Sequence, residues 1–339
     1  MPSARSAVPA EHYADLGTVG LRTGQAVTGM LGQQLFTTHG GGANQLAEGP
    51  AAQRVQLASL DPVATLAQGL APGQSYATTP WSTWLSGFGI FGDVGGNGNA
   101  HSLHYSTGGT MFGADYRLGP SLLVGAFVGY GGSGTAASGL AGSGSIDSYV
   151  GGVYVSWNAI GHMSTACWAT AIRDDSLRRT IAFPGFATMS ARGSTHANQL
   201  LSSIETGRSY DLSERIVATP FVGLQAITLD QAAFTETGAG SLDLAVRGQS
   251  VSTVRSQLGT RLSRDIDIGE GKVLNVGLKI GWAHELSDTG ATTTARFAGT
   301  SGTSFAVQGA RHDRDSALVG IGVAAKLDPQ AQHLSTLRR

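Results

Sequence analysis

The feature that most constrains this chain is a series of about ten segments within residues 81–327 in which apolar and polar side chains alternate. In residues 254–262, Leu258 lies among the apolar side chains of one face, while Arg255 and Arg261 fall on the opposite face. Successive side chains of a β-strand point to opposite faces, so this period of two predicts half-buried strands. The other predicted strands are 84–92, 109–118, 121–130, 148–157, 162–175, 195–210, 216–225, 273–286 and 317–327.

The connections between these segments alternate between short and long. Short turns are predicted at 118–120, 158–161, 211–214 and 266–271, and long loops at 93–108, 131–147, 176–194, 232–250 and 287–315. Outer-membrane barrels have short periplasmic turns and longer outer loops, whereas a soluble sandwich has no reason to sort its loops this way. The sequence therefore predicts an all-β, antiparallel up-and-down transmembrane barrel with an N-terminal helical or linker segment.

Composition agrees with a narrow barrel. Glycine occupies 50 of 339 positions and only 13% of residues are charged, and inward glycines leave room inside a closed sheet. A net charge of −1 argues against a nucleic-acid partner, since such partners require a basic surface. The single cysteine, Cys167, excludes an internal disulfide and a cysteine-rich metal site. We expect no cofactor.

Residues 1–80 lack strand alternation and are interpreted as a linker with a short helix. The best helix candidate is 51–60, a second could follow at 62–70, and we expect part of 51–80 to enter the pore. No stretch has the roughly 18 consecutive apolar residues of a membrane-spanning helix. The first residues also lack the apolar core of a secretory leader.

Four segments, in order along the chain, resemble one family. GGTMFGADYRLGPSLLVGAFVGY at 108–130 resembles the strand pair near the start of the autotransporter β-domain. The segments at 220–246, 255–262 (RSQLGTRL) and 281–286 (GWAHEL) resemble its middle and late strands. The resemblance implies a twelve-stranded translocator barrel of type V secretion in the Gram-negative outer membrane. It also implies an α-helical segment in the pore and, as partners, outer-membrane lipid, an upstream passenger segment and the barrel-assembly machinery.

The sequence departs from that family at both ends. About ten strands are visible in the barrel domain, residues 81–327, and the chain ends in DPQAQHLSTLRR rather than on an aromatic residue. We expect a truncated copy without the last two strands, with 328–339 as a tail foreign to the family. Recognition by the barrel-assembly machinery is then in doubt, and residues 1–80 leave no room for a large passenger.

The inward polar side chains are the candidates for function. Charges inside a protein lumen are normally paired or hydrated, because an unpaired buried charge is costly. We expect these residues to line the pore and to contact the helical segment: Asp115, Arg117, Glu205, Gln225, Arg255, Gln257, Arg261, Asn275, Lys279 and Glu285. Aromatic residues are expected mostly near strand ends or on the lipid-facing side, as interfacial girdles: Trp81, Trp84, Phe88, Tyr130, Tyr149, Trp157 and Trp282.

Catalytic and metal sites are not indicated. His101 and His104 share one loop and His312 lies in another, without a carboxylate at ligand spacing. Asp174 and Asp175 are adjacent, point to opposite faces of a strand, and are interpreted as a solvated loop edge. Two other functions stay open: a soluble glycine-rich β-sandwich acting as an adhesin or binding module, and an outer-membrane hydrolase whose catalytic residues the sequence does not assemble.

Overall fold

A computed structural model describes most of the chain. The described residues are 11–39, 80–94, 102–137, 142–182, 185, 187–213, 216–267, 273–288, 290, 292–299, 302, 304–309 and 313–326. The 51–60 and 62–70 helix candidates, His101, His312 and the 328–339 tail lie outside these ranges.

The described part of the chain contains one α-helix, a short 3-10 helix at Gly240–Leu242 and fifteen strands. Helix α1 spans Glu11–His39. The strands are β1 Trp81–Val94, β2 Leu103–Arg117, β3 Leu122–Ala137, β4 Gly142–Ala159, β5 His162–Ile181, β6 Met189–Arg208, β7 Tyr210–Ser213, β8 Ile216–Gln231, β9 Phe234–Thr235, β10 Leu244–Val246, β11 Gln249–Asp267, β12 Val273–Glu285, β13 Thr292–Phe297, β14 Phe305–Gln308 and β15 Asp315–Lys326.

An 11-stranded sheet contains all the long strands, in the order β1-β2-β3-β4-β5-β6-β8-β11-β12-β15, with β7 beside β8. Each pair of neighbouring strands along this order is antiparallel, the arrangement that short connections between consecutive strands produce. The sheet curls like part of a barrel wall. Within the described residues, β1 and β15 form its two edges. The predicted antiparallel up-and-down fold is confirmed.

The two faces of the sheet differ in exposure. Along β5 buried and exposed residues alternate almost without interruption. Trp168 and Ile172, on the outward face, are more than half exposed. Arg173 and Asp175, on the concave face, are almost completely buried. Large apolar side chains therefore point outward, as in a lipid-facing barrel wall, while the concave face combines buried charges with apolar residues such as Cys167 and Leu177.

Helix α1 fills the concave side of the sheet. From Tyr13 to Phe36 almost all its residues are buried, on every side of the helix. Gly20, Gly24 and Gly32 are spaced by multiples of four, so they form a ridge of small residues along one side. This ridge lets the helix backbone approach the wall closely. Because glycine weakens isolated helices, α1 depends on the surrounding wall for its stability.

A small second sheet, which we call the mouth sheet, comprises β9, β10, β13 and β14 in the order β14-β13-β10-β9. It packs on the N-terminal end of α1: Phe234 lies edge-on to Tyr13, with ring centroids 4.8 Å apart. The mouth sheet is built from the two longest connections of the main sheet. It therefore covers the edge of the sheet opposite the short turns.

Two sequence-based expectations need correction. Strands β2 to β6 extend well into the regions predicted as long loops, and the mouth sheet occupies part of the last two. Helix α1, at Glu11–His39, was not among the predicted helices, whose candidates at 51–60 and 62–70 lie outside the described residues. Trp84 and Phe88 point into the concave side and are 6% exposed, because inward residues of β1 pack among the core side chains instead of at an interface.

Candidate functional site: the helix-filled lumen

The lumen is the space on the concave side of the main sheet, and α1 is held in it at successive levels. At the outermost level, the Tyr13 hydroxyl donates to Glu236 Oε1 at 2.5 Å. Arg179 also binds Glu236, with Nε to Oε1 at 3.0 Å. The Leu244 backbone N–H donates to Oε2 at 2.8 Å. A tyrosine, a guanidinium and a backbone amide thus satisfy one fully buried carboxylate and tie the helix to the mouth sheet.

One turn further along the helix, Arg173 of β5 reaches across to the backbone. Its Nη2 donates to the two carboxylate oxygens of Asp175 at 2.9 and 3.1 Å and to the Leu16 carbonyl at 3.2 Å. A methyl group on Gly20 would overlap Nη1 and lie 2.6 Å from Cζ. Gly20 therefore leaves the notch that the guanidinium occupies. The amide of Gln199 donates to the Gly20 carbonyl at 2.8 Å.

In the middle of the helix, Gln25 binds two strands at once. Its Oε1 accepts from Arg255 Nη1 at 3.1 Å, and its Nε2 donates to Glu285 Oε2 at 3.4 Å. Arg255 and Glu285 are cross-strand partners in the β11–β12 register. Glu285 also accepts from the Thr253 hydroxyl. The helix amide therefore sits between a cation and an anion that the sheet has already placed side by side.

Near the C-terminal end of the helix, a cationic pair is stacked on aromatic rings. The Arg261 guanidinium lies 4.8 Å from the ring centroid of Phe36 and 4.5 Å from that of Phe221. It donates through both Nη atoms to Glu205, the Nη2 bond being 2.9 Å. Lys279 lies 4.7 Å from the Phe221 ring and 3.9 Å from Glu205 Oε2. Desolvated cations gain most from such aromatic faces.

The remaining sequence-predicted residues have different surroundings. Gln225 and Gln257 line a gap of about 20 Å³ between the wall and α1. Asp115 accepts from Trp84, Ser82 and Tyr154 of the wall. Arg117 is exposed at the end of β2, and the Asn275 side chain lies outside the described part of the structure.

Sequence reasoning missed four of the lumen residues that hold the helix: Arg173, Asp175, Arg179 and Glu236. Asp175 is 2% exposed, so its interpretation as a solvated loop edge is wrong. The two aspartates do point to opposite faces, and the outward Asp174 pairs with His196. Extending the predicted strand past residue 175 would have placed Arg179 on the same inward face as Arg173.

Two further features are absent from the described ranges. No group of three or more histidine, cysteine or acidic residues there could hold a metal ion. No helix within those ranges is long and apolar enough to cross a membrane.

The chain is similar to known proteins in sequence and in fold. The autotransporter beta-domain family model matches residues 83–333. The translocator domain of the autotransporter NalP from Neisseria meningitidis is similar in fold, with a TM-score of 0.58 and 14% identity, covering 94% of this chain and all of that chain. The β-domain of the Bordetella autotransporter BrkA matches with a TM-score of 0.46 and 16% identity over 73% of this chain and 98% of its own.

A curated relative adds a sequence match. Outer membrane protein A of Rickettsia conorii is 30% identical over 91 residues, which are 27% of this chain and 4% of that protein. The aligned stretch is thus a small part of a much longer protein. None of the comparisons supports the soluble adhesin alternative. Because the family model spans well over half of the chain, this protein belongs to the autotransporter β-domain family and is a translocator domain of the outer membrane.

Proposed function

We propose that the wall strands form the export pore and that α1 is the segment joining the exported passenger to it. The direction of the helix carries this proposal. Tyr13, near its N-terminal end, lies at the mouth sheet, and Phe36 lies toward the short-turn edge, beside Arg261. In an outer-membrane barrel the longer connections face outward. A passenger preceding Glu11 would therefore emerge outside the cell.

The lining of this pore is part of the proposal. We assign to it the inward residues predicted from the sequence, together with Arg173 and Arg179, and we divide the chain into 1–80, the 81–327 wall and the 328–339 tail. Outer-membrane lipid, the passenger and the barrel-assembly machinery are the partners. No nucleotide or cofactor enters this mechanism, because passenger folding outside supplies the direction of movement.

The role proposed is transport without catalysis. The acidic side chains closest to the helix are engaged by cations or by other donors: Glu236 by Arg179, Asp175 by Arg173, and Glu205 by Arg261. A carboxylate bound to a guanidinium is a weak base, since protonation would break that pair. These contacts support an α1 that is held intact in the lumen.

Epitope accessibility in intact cells tests the proposed function. The full chain is expressed behind a cleavable secretory leader with an epitope placed before residue 11. A matched control carries the same epitope in the turn at residues 118–121. We expect antibody to bind the N-terminal epitope on intact cells and the turn epitope only after permeabilisation. An N-terminal epitope that also requires permeabilisation contradicts the proposal.

A further inference from the structure

Two arginines stand side by side on the outward face of the sheet, away from the lumen. Arg178 of β5 and Arg192 of β6 are direct cross-strand partners, and both are exposed. Like charges directly opposite each other destabilise a sheet. Arg178 Nε donates to Ser190 Oγ at 3.3 Å, and the Arg192 side chain has no partner among the described residues. The two guanidinium groups therefore have no carboxylate bound to them among the described residues.

A groove of about 540 Å³ lies against this pair. Besides the two guanidinium groups, its described lining carries hydroxyl groups and no carboxylate; these come from Ser143, Ser145, Ser176, Ser194 and Thr237. On the outward face of β5 the preceding acid, Asp174, is bound by His196 Nδ1 at 2.5 Å. Guanidinium and hydroxyl donors without a competing carboxylate suit a phosphate group.

The distance of the groove from the apolar part of the wall, measured along the membrane normal, identifies which phosphate could reach it. The outward apolar residues of β5 end at Ile172, and Arg178 lies six residues further on. At about 3.3 Å per residue the separation is about 20 Å along the strand. With a tilt of about 40° it is about 15 Å along the membrane normal. The phosphate of a simple phospholipid lies nearer the membrane surface than this, whereas phosphates on a long saccharide headgroup extend further out.

We propose that Arg178, Arg192 and the surrounding hydroxyls bind the phosphorylated saccharide headgroup of an outer-leaflet glycolipid. The site lies on the outward face of the wall, so its occupant is a neighbour of the wall and not cargo of the pore. Binding would neutralise the arginine pair, which the sheet brings together without a counterion. The bound glycolipid would then hold the outer rim of the wall in the membrane through contacts that do not involve α1.

The test uses the full chain in lipid nanodiscs and a purified lipopolysaccharide that keeps its phosphorylated inner core. We compare R178Q/R192Q with R208Q, which removes an outward arginine from the opposite end of β6, where it lies over the Tyr210 ring. Binding is measured with the intact glycolipid, with the same glycolipid after phosphatase treatment, and with inorganic phosphate as competitor. Heat-dependent mobility on SDS gels checks that each variant is folded.

The proposal predicts that R178Q/R192Q weakens glycolipid binding at least about tenfold, since charged hydrogen bonds to phosphate are lost. R208Q should bind as the parent does, and phosphatase treatment should match the effect of the double variant. Unchanged binding in folded R178Q/R192Q overturns the proposal. Displacement of the glycolipid by inorganic phosphate at cellular concentrations also overturns it, since free phosphate would then be the ligand.

Discussion

Replacing Gly20 with alanine tests how closely α1 is fitted to the wall. The added methyl group would overlap Arg173 Nη1, and Arg173 cannot retreat without leaving Asp175 and the Leu16 carbonyl. Overpacking a buried site costs about 1–3 kcal/mol. A lost buried hydrogen bond adds about 1 kcal/mol, while alanine returns about 1 kcal/mol in helix propensity. We expect G20A to destabilise the protein by about 2 kcal/mol.

Gly29 supplies the matched control. It lies in the same helix, and a methyl group there meets nothing within 4 Å, so G29A should gain about 1 kcal/mol from propensity alone. Urea unfolding of the full chain in lipid vesicles, followed by loss of the SDS-resistant folded form, measures both variants. The same chemical change is thus expected to have opposite signs at two positions. If G20A proves as stable as G29A, the fitted contact between helix and wall is refuted.

Other lumen contacts give graded expectations. E236Q should lower the free energy of unfolding by about 3–5 kcal/mol, because it removes the counter-charge of buried Arg179. Y13F should lower it by only about 1–2 kcal/mol, since Glu236 keeps its other donors. Urea unfolding measures both variants, and equal effects would contradict the network. R261K should lose the bidentate bond to Glu205 and the stacking on Phe36, and so increase proteolysis of α1 near its C-terminal end. The control R264K changes an exposed arginine on the same strand and should leave proteolysis unaltered; equal cleavage of both variants would contradict the stacking.

The wall could be predicted from the sequence because its two environments differ. Lipid on one side and a lumen that holds buried charges on the other favour a period of two, and that pattern is visible in residues such as Leu258 and Arg261 without knowledge of the fold. The ends of the strands could not be predicted as well. The alternation of β5 continues to Ile181, but its outward residues beyond Ile172 are polar, as in a loop.

Helix α1 could not be predicted, because its residues do not divide between two different environments. A helix packed on one side shows an apolar stripe, whereas most of α1 is buried and its polar residues, such as Gln25 and Gln33, are buried along with the apolar ones. Its glycines, such as Gly20 and Gly24, lower helix propensity, yet each is needed for close approach to a particular wall residue. The pairing of Glu236 with Tyr13 joins residues 223 positions apart in the sequence, so no local pattern could indicate it.

Thiol cross-linking tests the central claim, that α1 lies in the lumen with its N-terminal end at the mouth sheet. In a Cys167→Ala background, cysteines replace Gln25 and Arg255, whose side chains bond at 3.1 Å. Because that bond joins the ends of two long side chains, the two backbones are too far apart for a direct disulfide, and a short bifunctional maleimide bridges the thiols instead. A control pair replaces Tyr13 and Arg261, which lie at opposite ends of the lumen. The reagent should join positions 25 and 255 within one chain in native membranes and leave the control pair unlinked. Failure of the first pair together with cross-linking of the control would contradict the placement of the helix.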